Sequence, residues 1–550
     1  MLGGERINII LILGTLCSIL FTSKLFVDTI IYPKWIILSV FIFIITILCN
    51  TTSKNKYRID ALYVFIFAFI LYMLIHSTSF FSSCEYMFLF HLTGFFLLYS
   101  YFYFNKSAIR ADYFHDALCL AGIVQSIIAI VQLLRHDLIS GASDNSTGLA
   151  ISLVSIFPFV YLPSRTMRVN WRKNIYVISS GLIILTVILS GCRTCIIALA
   201  VMISFMVCSK KYIVLLIGVS ATLCLTVHYK KDSSKGRLFI YQTSLQMLNS
   251  RTLLFGKGHG GFKREYMYFQ ARSLKNRTQS SNAILADNVF HPLNEYLLLL
   301  IEHGIAGCIL AFIVCLLLFK RSDHNSPHFL FVLALGIIAC FSYPFQYPLT
   351  SVLLAYSLAA ADCKRIYNLE ITRSIKRFII LATFGGISYM LFDMRNNYLW
   401  KKQVALCSLG KIEKTLPKYN ELYPNMNDDP YFLYNYSMVL FQYGNYQKSE
   451  TVLLYCNQYL NDYDTELLHA DISRSLKRFD KAEDYYIRAS QMCPNRFQPL
   501  YQLMNLYKEI GKMEQVRLIA EMIVTKKVKI PSKQIDKIIQ EANSFLGNHQ

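Results

Sequence analysis

The sequence predicts an all-α protein in two parts: a polytopic membrane bundle over residues 1–392, and an α-solenoid helical-repeat domain over 393–550. Three observations predict it. Hydrophobic residues make up 54% of the 550, and mean hydropathy is +0.38, more apolar than a soluble chain of this length. Apolar runs approaching the ~20 residues needed to cross a bilayer recur along the first part. After the last run the chain turns polar and Tyr-rich, and an internal repeat appears.

Thirteen candidate spans begin near Ile7, Pro33, Asp60, Tyr86, Phe114, Gly148, Asn174, Thr194, Tyr212, Leu293, Ser326, Gln346 and Ile375. Arg6 followed by Ile7–Phe21 reads as a first span rather than a signal peptide, because further spans follow at once. The runs at Thr194–Cys208 and Gln346–Ala361 are the shortest. Lys and Arg crowd alternate short loops: Lys54 to Arg58, Lys106 and Arg110, Arg165 to Lys173, Lys210 and Lys211, Lys320 and Arg321, and Lys364 to Arg377. The other short loops hold only Lys24, Lys34, Arg135 and Arg193. The positive-inside rule then makes the N-terminus cytoplasmic, and an odd number of spans puts the C-terminal domain outside.

One stretch departs from the rule. The large loop over 229–292 falls on the outer side, yet carries eleven Lys and Arg against three acids, Asp232, Glu265 and Asp287. Long loops translocate despite charge, so a solvated basic loop touching headgroups is one reading. The other is a site for a polyanion, for which a diphosphate at the membrane surface is suited, since guanidinium groups match phosphate geometry. The formal net charge of +21, distributed this way, points to a membrane and an anionic substrate rather than to nucleic acid. The 15 cysteines show no metal-ligand spacing and no disulfide framework. Cys192 and Cys195 (Cys-Arg-Thr-Cys) are neighbours at a segment end, where a disulfide is compatible with the spacing.

In the C-terminal part, Tyr443–Glu450, Leu476–Glu483 and Ile510–Arg517 recur at the tetratricopeptide period, each a turn, then an aromatic or Met, then a small residue in a helix. Ser449, Ala482 and Val516 are the small residues that let paired helices approach, and Asn396–Pro424 reads as a degenerate earlier unit. Stacked helix pairs offer a groove for a protein partner or acceptor. Nothing in the repeats looks catalytic.

Four segments of the first part carry polar chemistry. In Ser190-Gly191-Cys192-Arg193-Thr194, Arg193 sits at a turn between spans, where a snorkelling Arg is the plainest reading. Gly236-Arg237-Leu238-Phe239 opens an amphipathic stretch and sets Arg237 near the membrane face. Leu254–Phe262 is glycine-rich, so backbone N–H groups around Gly258 are candidates to cradle an anion. In Asn288–Glu295, Pro292 suits a first helical turn, which places His291 near a helix cap at the outer interface. A neutral imidazole there can accept a proton from a hydroxyl, with Asn294 and Glu295 to orient it. His259 and His303 are the alternatives.

In this order and on these sides of the membrane, the segments resemble the bacterial O-antigen ligase/O-antigen polymerase family of membrane glycosyltransferases. The resemblance rests on Ser190–Thr194, Arg237 with Leu254–Phe262, Asn294 with Glu302-His303-Gly304-Ile305-Ala306-Gly307, and Gly141–Gly148, and covers roughly residues 120–350. It implies a GT-C-like bundle of about 12–13 transmembrane helices in a bacterial inner membrane. It also implies an undecaprenyl-diphosphate-linked glycan as donor and no metal or other cofactor. Arg193 and Arg237 would hold the donor diphosphate and His291 would be the catalytic base, with support from Asn294, Glu295 and Gly258. The acceptor is a hydroxyl of lipid A core, of another glycan or of a protein. A non-enzymatic scaffold or glycan exporter is the alternative of another class. The family's His stands directly before the Asn, where this chain has Leu293.

Overall fold

The computed structural model describes residues 2–52, 56–79, 86–106, 109–207, 231–275, 280–361 and 365–547. Among the described residues the fold is helical apart from one two-stranded ribbon. The first half of the bundle comprises α1 (Leu2–Leu20), α2 (Ile31–Thr52), β1 (Lys56–Asp60), α3 (Ala61–Ser79), α4 (Tyr86–Phe104), α5 (Ala111–Leu134), α6 (Ser146–Thr166), α7 (Trp171–Leu189) and α8 (Arg193–Val207). The basic loop is itself helical, with α9 (Lys231–Leu245), α10 (Ser250–Phe255), α11 (Gly261–Leu274) and α12 (Ser281–Leu285). The bundle resumes with α13 (Glu295–Arg321), α14 (Pro327–Ala339), α15 (Pro348–Ala360), β2 (Arg365–Glu370) and α16 (Arg373–Ser408).

Seven of these helices, α2, α4, α5, α6, α7, α13 and α16, are long and apolar enough to cross a membrane, and five, α1, α3, α8, α14 and α15, are shorter apolar helices. Twelve of the thirteen expected spans are therefore helices, and the one near Tyr212 lies outside the described residues. At the centre stands α6, capped by Asn145, whose side chain accepts from the Gly148 N–H at 2.8 Å. Its run from Leu149 to Val160 is buried all round, as expected of a helix apolar on every face. Ser152 and Ser155 remain compatible with that burial because each hydroxyl donates to the carbonyl four residues back.

The two ends of the bundle collect different loops. At one end β1 pairs antiparallel with β2, Lys106 Nζ donates to the Ala360 carbonyl at 2.9 Å, and Arg172 pairs with Asp116 at 2.9 Å. At the other end Lys34 donates to the Ala142 carbonyl, and Trp35 Nε1 to that of Gln346 at 2.9 Å. No described contact among these joins a loop of one sequence-assigned side to a loop of the other.

In the C-terminal part, α17 (Ile412–Leu422) pairs with the end of α16 as the degenerate unit. Three further pairs follow: α18 (Pro430–Gln442) with α19 (Tyr446–Cys456), α20 (Tyr463–Ser475) with α21 (Phe479–Met492), and α22 (Gln498–Glu509) with α23 (Met513–Thr525); α24 (Lys533–Gly547) closes the stack. The pairs start 33 and 35 residues apart, at 430, 463 and 498. The recurring sequence segments are the turns inside each pair, with left-handed residues Gly444, Lys477 and Gly511. Ser449, Ala482 and Val516 are each 0% exposed, and the Ser449 and Ser437 hydroxyls bond at 3.0 Å across one helix pair. The domain boundary expected at 393 falls inside α16, which runs unbroken from the apolar bundle into the repeat domain.

Another departure is in α13, which is two helical legs meeting at Gly304 (φ +65°). The loop backbone presses into this break. Lys257 N–H donates to the Ile301 carbonyl at 2.8 Å and Gly258 N–H to the Glu302 carbonyl at 2.9 Å. A Cβ on Gly304 would lie 2.4 Å from the Leu254 carbonyl oxygen, and one on Gly256 (φ +79°) 2.3 Å from the Glu302 backbone. Gly304→Ala and Gly256→Ala are each expected to cost more than the ~1–2 kcal/mol of a left-handed non-glycine residue, because backbone must also move. Gly181→Ala, where a Cβ meets nothing, serves as control. Melting of the purified variants checks this; an unchanged melting temperature for Gly304→Ala would disprove the crossing.

Candidate substrate site at one end of the bundle

The site begins with the loop before α6. Tyr347 hydroxyl donates to Asp144 at 3.0 Å, and Asn145 Nδ2 donates to Asp144 at 2.9 Å and to the Tyr343 hydroxyl at 3.3 Å. Gly148 is needed beneath them, since a Cβ there would fall 2.6 Å from the Tyr347 ring. The Gly141–Gly148 segment is thereby fixed to the turn between α14 and α15.

Arg237, on α9, reaches the same place. Its charge acts on the Cys192 thiol and on the Tyr241 hydroxyl. Tyr241 in turn bonds the Asn294 side chain and lies 3.5 Å from the Leu293 carbonyl and 3.4 Å from that of Cys340. Arg193 follows Cys192 and opens α8. Among the described residues neither Arg193 nor Arg237 has a carboxylate partner in an ion pair.

His291 stands at the corner before α13. Its Nδ1 accepts from the Leu293 N–H at 2.9 Å, its Nε2 lies 3.6 Å from Glu295 Oε2, and its ring meets Tyr343 edge-on at 5.6 Å between centroids. Leu293 adopts φ +57° to make that bond. Asn294 caps α13 by accepting from the Leu297 N–H at 2.9 Å. Glu295 Oε1 accepts from the Phe345 N–H at 3.4 Å. The structure thus brings Arg237, the Cys192–Arg193 turn, His291, Asn294 and Glu295 into one neighbourhood. The acceptor nitrogen of neutral His291 is already engaged, so its proton sits on Nε2, facing Glu295. Tyr241, Tyr343 and Tyr347 belong to the site and were not found from sequence, and Asp144 lies in the Gly141–Gly148 segment but was given no role there; the Tyr343–Tyr347 turn carries no charge and gave no signal.

Gly258 is not part of it. Its N–H is held by the Glu302 carbonyl, so the glycine-rich segment seals the break in α13 instead of cradling an anion. His259 also belongs to that seal: its Nδ1 lies 3.3 Å from Glu302 Oε2 and its ring stacks on Phe88 at 3.5 Å. His303 is buried beside His76, with ring centroids 5.6 Å apart. Glu302 is seven residues beyond Glu295, about 10 Å along a helix.

The repeat domain is docked on the loop that carries the site. Phe262, Tyr266 and Met267 of α11 share a core with Tyr463, Ala489 and Met492. Gln270 Nε2 donates to the Met492 carbonyl at 2.7 Å, and Asn461 Nδ2 to that of Arg264 at 2.8 Å. Close to His291, Asn288 donates to Asp464 at 2.9 Å and accepts from the Tyr463 N–H at 3.1 Å, while Arg496 pairs with Asp287 at 2.8 Å.

No family model matches the chain, and no curated protein matches it. The chain is similar to a solved structure described as the crystal structure of the APC/C hetero-tetramer Cut9-Hcn1, at 10% identity over 92% of this chain and 87% of that one, with a TM-score of 0.24. A likeness that low carries no argument of its own. The resemblance to the O-antigen ligase/polymerase family is therefore overturned: no family model, of that family or of another, matches the chain. What fold and site define is an all-helical protein with a TPR-like repeat domain docked on a basic helical loop.

Asn288→Ala is expected to cost about 1–3 kcal/mol, because it strands the partly buried Tyr463 N–H and Asp464. Arg496→Ala, at a half-exposed ion pair, should cost under ~1 kcal/mol. Hydrogen exchange over 284–295 checks both: it should rise clearly in the first and little in the second.

Proposed function

We propose that the chain is a multi-pass protein of a bacterial inner membrane that transfers a glycan from a lipid-diphosphate carrier, of the undecaprenyl-diphosphate class, to a hydroxyl acceptor at the outer face. The observation that carries this reading is the convergence of Arg237 and the Cys192–Arg193 turn, whose arginines have no carboxylate ion pair among the described residues, on a corner holding His291, Glu295 and three tyrosine hydroxyls.

Membrane insertion is supported by the apolar exterior of the bundle, where Phe67, Leu120, Ile127, Ile178, Phe312 and Leu381 are exposed. The first leg of α13, up to His303, then runs along the outer interface and the second leg crosses. The repeat domain lies on the outer side, where its groove can receive a hydroxyl acceptor or a protein partner.

In the reaction, Arg193 and Arg237 hold the diphosphate. The bond from sugar C1 to the diphosphate oxygen breaks with its electrons leaving on that oxygen, and the guanidinium groups stabilise the developing charge. The acceptor oxygen bonds to C1 and its proton passes to the His291–Glu295 pair. Nδ1 exchanges its bond to Leu293 for this, and Glu295 stabilises the imidazolium at Nε2. A second reading, capture of an anionic lipid without transfer, is favoured by one observation: Nδ1 is already held by a backbone N–H.

Each guanidinium contributes about 1.5–3 kcal/mol through charge-assisted hydrogen bonds, so Arg237→Lys and Arg193→Lys should both weaken donor binding. His291→Ala should lower transfer by about 10²–10⁴ with binding kept, and Glu295→Gln less. Transfer from a lipid-diphosphate glycan by purified protein, with and without chelator, is the test. Donor binding without transfer would establish the second reading, and loss of transfer on chelation would refute the mechanism. A cytoplasm-dependent reporter fused after residue 550 should be silent; activity would reverse the sidedness.

A further inference from the structure

We propose that Cys192 and Cys195 form a thiol–disulfide exchange site whose substrate is a disulfide presented at the Arg193 turn. Cys192-Arg193-Thr194-Cys195 is a C-x-x-C motif.

Its geometry separates two roles. Gly191, at φ +65°, turns the chain, Cys192 stands just ahead of α8, and Cys195 lies in the first turn of this 15-residue helix. Residues three apart on a helix have Cβ atoms about 5–6 Å apart, slightly more than the ~3.5–4.5 Å of a disulfide. Cys192 is not yet helical and can close that gap. Both thiols are free, and they already bond to each other. Cys192 is half-buried while Cys195 is 0% exposed, so an incoming molecule meets only the first.

The surroundings suit a thiolate at Cys192. Cys195 bonds to it, Thr147 bonds to it, and the Arg237 charge faces it; together they lower its thiol to about 7 against the opposing effect of burial. The first-turn N–H groups of α8 act in the same direction.

In the exchange, Cys192 Sγ attacks one sulfur of the incoming disulfide. The S–S electron pair leaves on the other sulfur, which departs as a thiolate and takes the proton of Cys195. Cys195 Sγ then attacks Cys192 Sγ and expels the second thiolate, which is protonated by solvent. The two cysteines are oxidised to a disulfide and the incoming disulfide is reduced to two thiols. An outer-face location supplies disulfides of this kind. Arg193 lies between the sulfurs, so the bridge would hold the backbone on both sides of a proposed donor-binding residue.

The test uses the full chain in detergent, equilibrated with glutathione disulfide in one arm and with an oxidised thioredoxin-fold protein in the other, then acid-quenched, alkylated and mapped by mass. A Cys192–Cys195 bridge is expected in at least one arm, and the arm identifies the source of the disulfide. Cys195→Ser should accumulate a mixed disulfide at Cys192, whereas Cys192→Ser should form none at Cys195. Alkylation of Cys192 at pH 7 should run roughly tenfold faster than that of an unperturbed thiol. Absence of the bridge in wild-type protein in both arms, or equal trapping at the two positions, overturns the proposal. These readouts involve no glycan transfer, so they stand or fall separately from the function proposed above.

Discussion

The crossing of two backbones at Gly256 and Gly304 is the constraint on which the rest of the site depends. Gly304 breaks α13, and beside the break the carbonyls of Ile301 and Glu302 accept from the N–H groups of Lys257 and Gly258. Buried carbonyls must be paired, so the glycine-rich segment and the break in α13 require each other. Fixing Leu254–Gly258 there sets where α11 starts. Fixing the first leg of α13 sets where Asn294, Glu295 and His291 stand.

From that crossing the chain's second part becomes structural for the first. α11 carries the apolar face that meets Ala489 and Met492, and the strand returning from α12 is held at Asp287 and Asn288 by Arg496, Tyr463 and Asp464. The His291 corner is therefore gripped on one side by the apolar bundle and on the other by the repeats. A domain read from sequence as a second part with nothing catalytic in it is joined to the site through these bonds and through the unbroken α16.

Periodicity made the architecture legible. The apolar runs and the turns at Tyr443, Leu476 and Ile510 are local signals repeated many times, and among the described residues each became a helix or an intra-pair turn. The site was legible as a set of segments, because Arg193, Arg237 and His291 flank helix ends. It was not legible as a set of contacts. Whether His291 offers a free nitrogen depends on the left-handed turn at Leu293, which no propensity announces. Gly258 looked like an anion cradle because glycine permits that, yet a tertiary carbonyl took its N–H. The C-x-x-C spacing was visible, but its meaning depends on Thr147 and Arg237, which are distant in sequence.

The charge of the loop acquires meaning once its partners are counted. Lys257 pairs with Glu265 at 2.6 Å, Arg264 donates to the Lys257 carbonyl at 2.9 Å, and Arg272 lies over the Phe269 ring. These cations are used to build the loop and its contacts. Arg237 is half-buried and its charge faces the Cys192 thiol and the Tyr241 hydroxyl, with no carboxylate in an ion pair among the described residues. A partly desolvated guanidinium is stabilised by nearby groups that make up for its lost hydration. An anion entering that corner would complete the compensation. The same field that favours a phosphate oxygen adds to the Cys195 and Thr147 bonds in favouring a thiolate at Cys192, so Arg237 contributes to both the proposed donor site and the proposed exchange site.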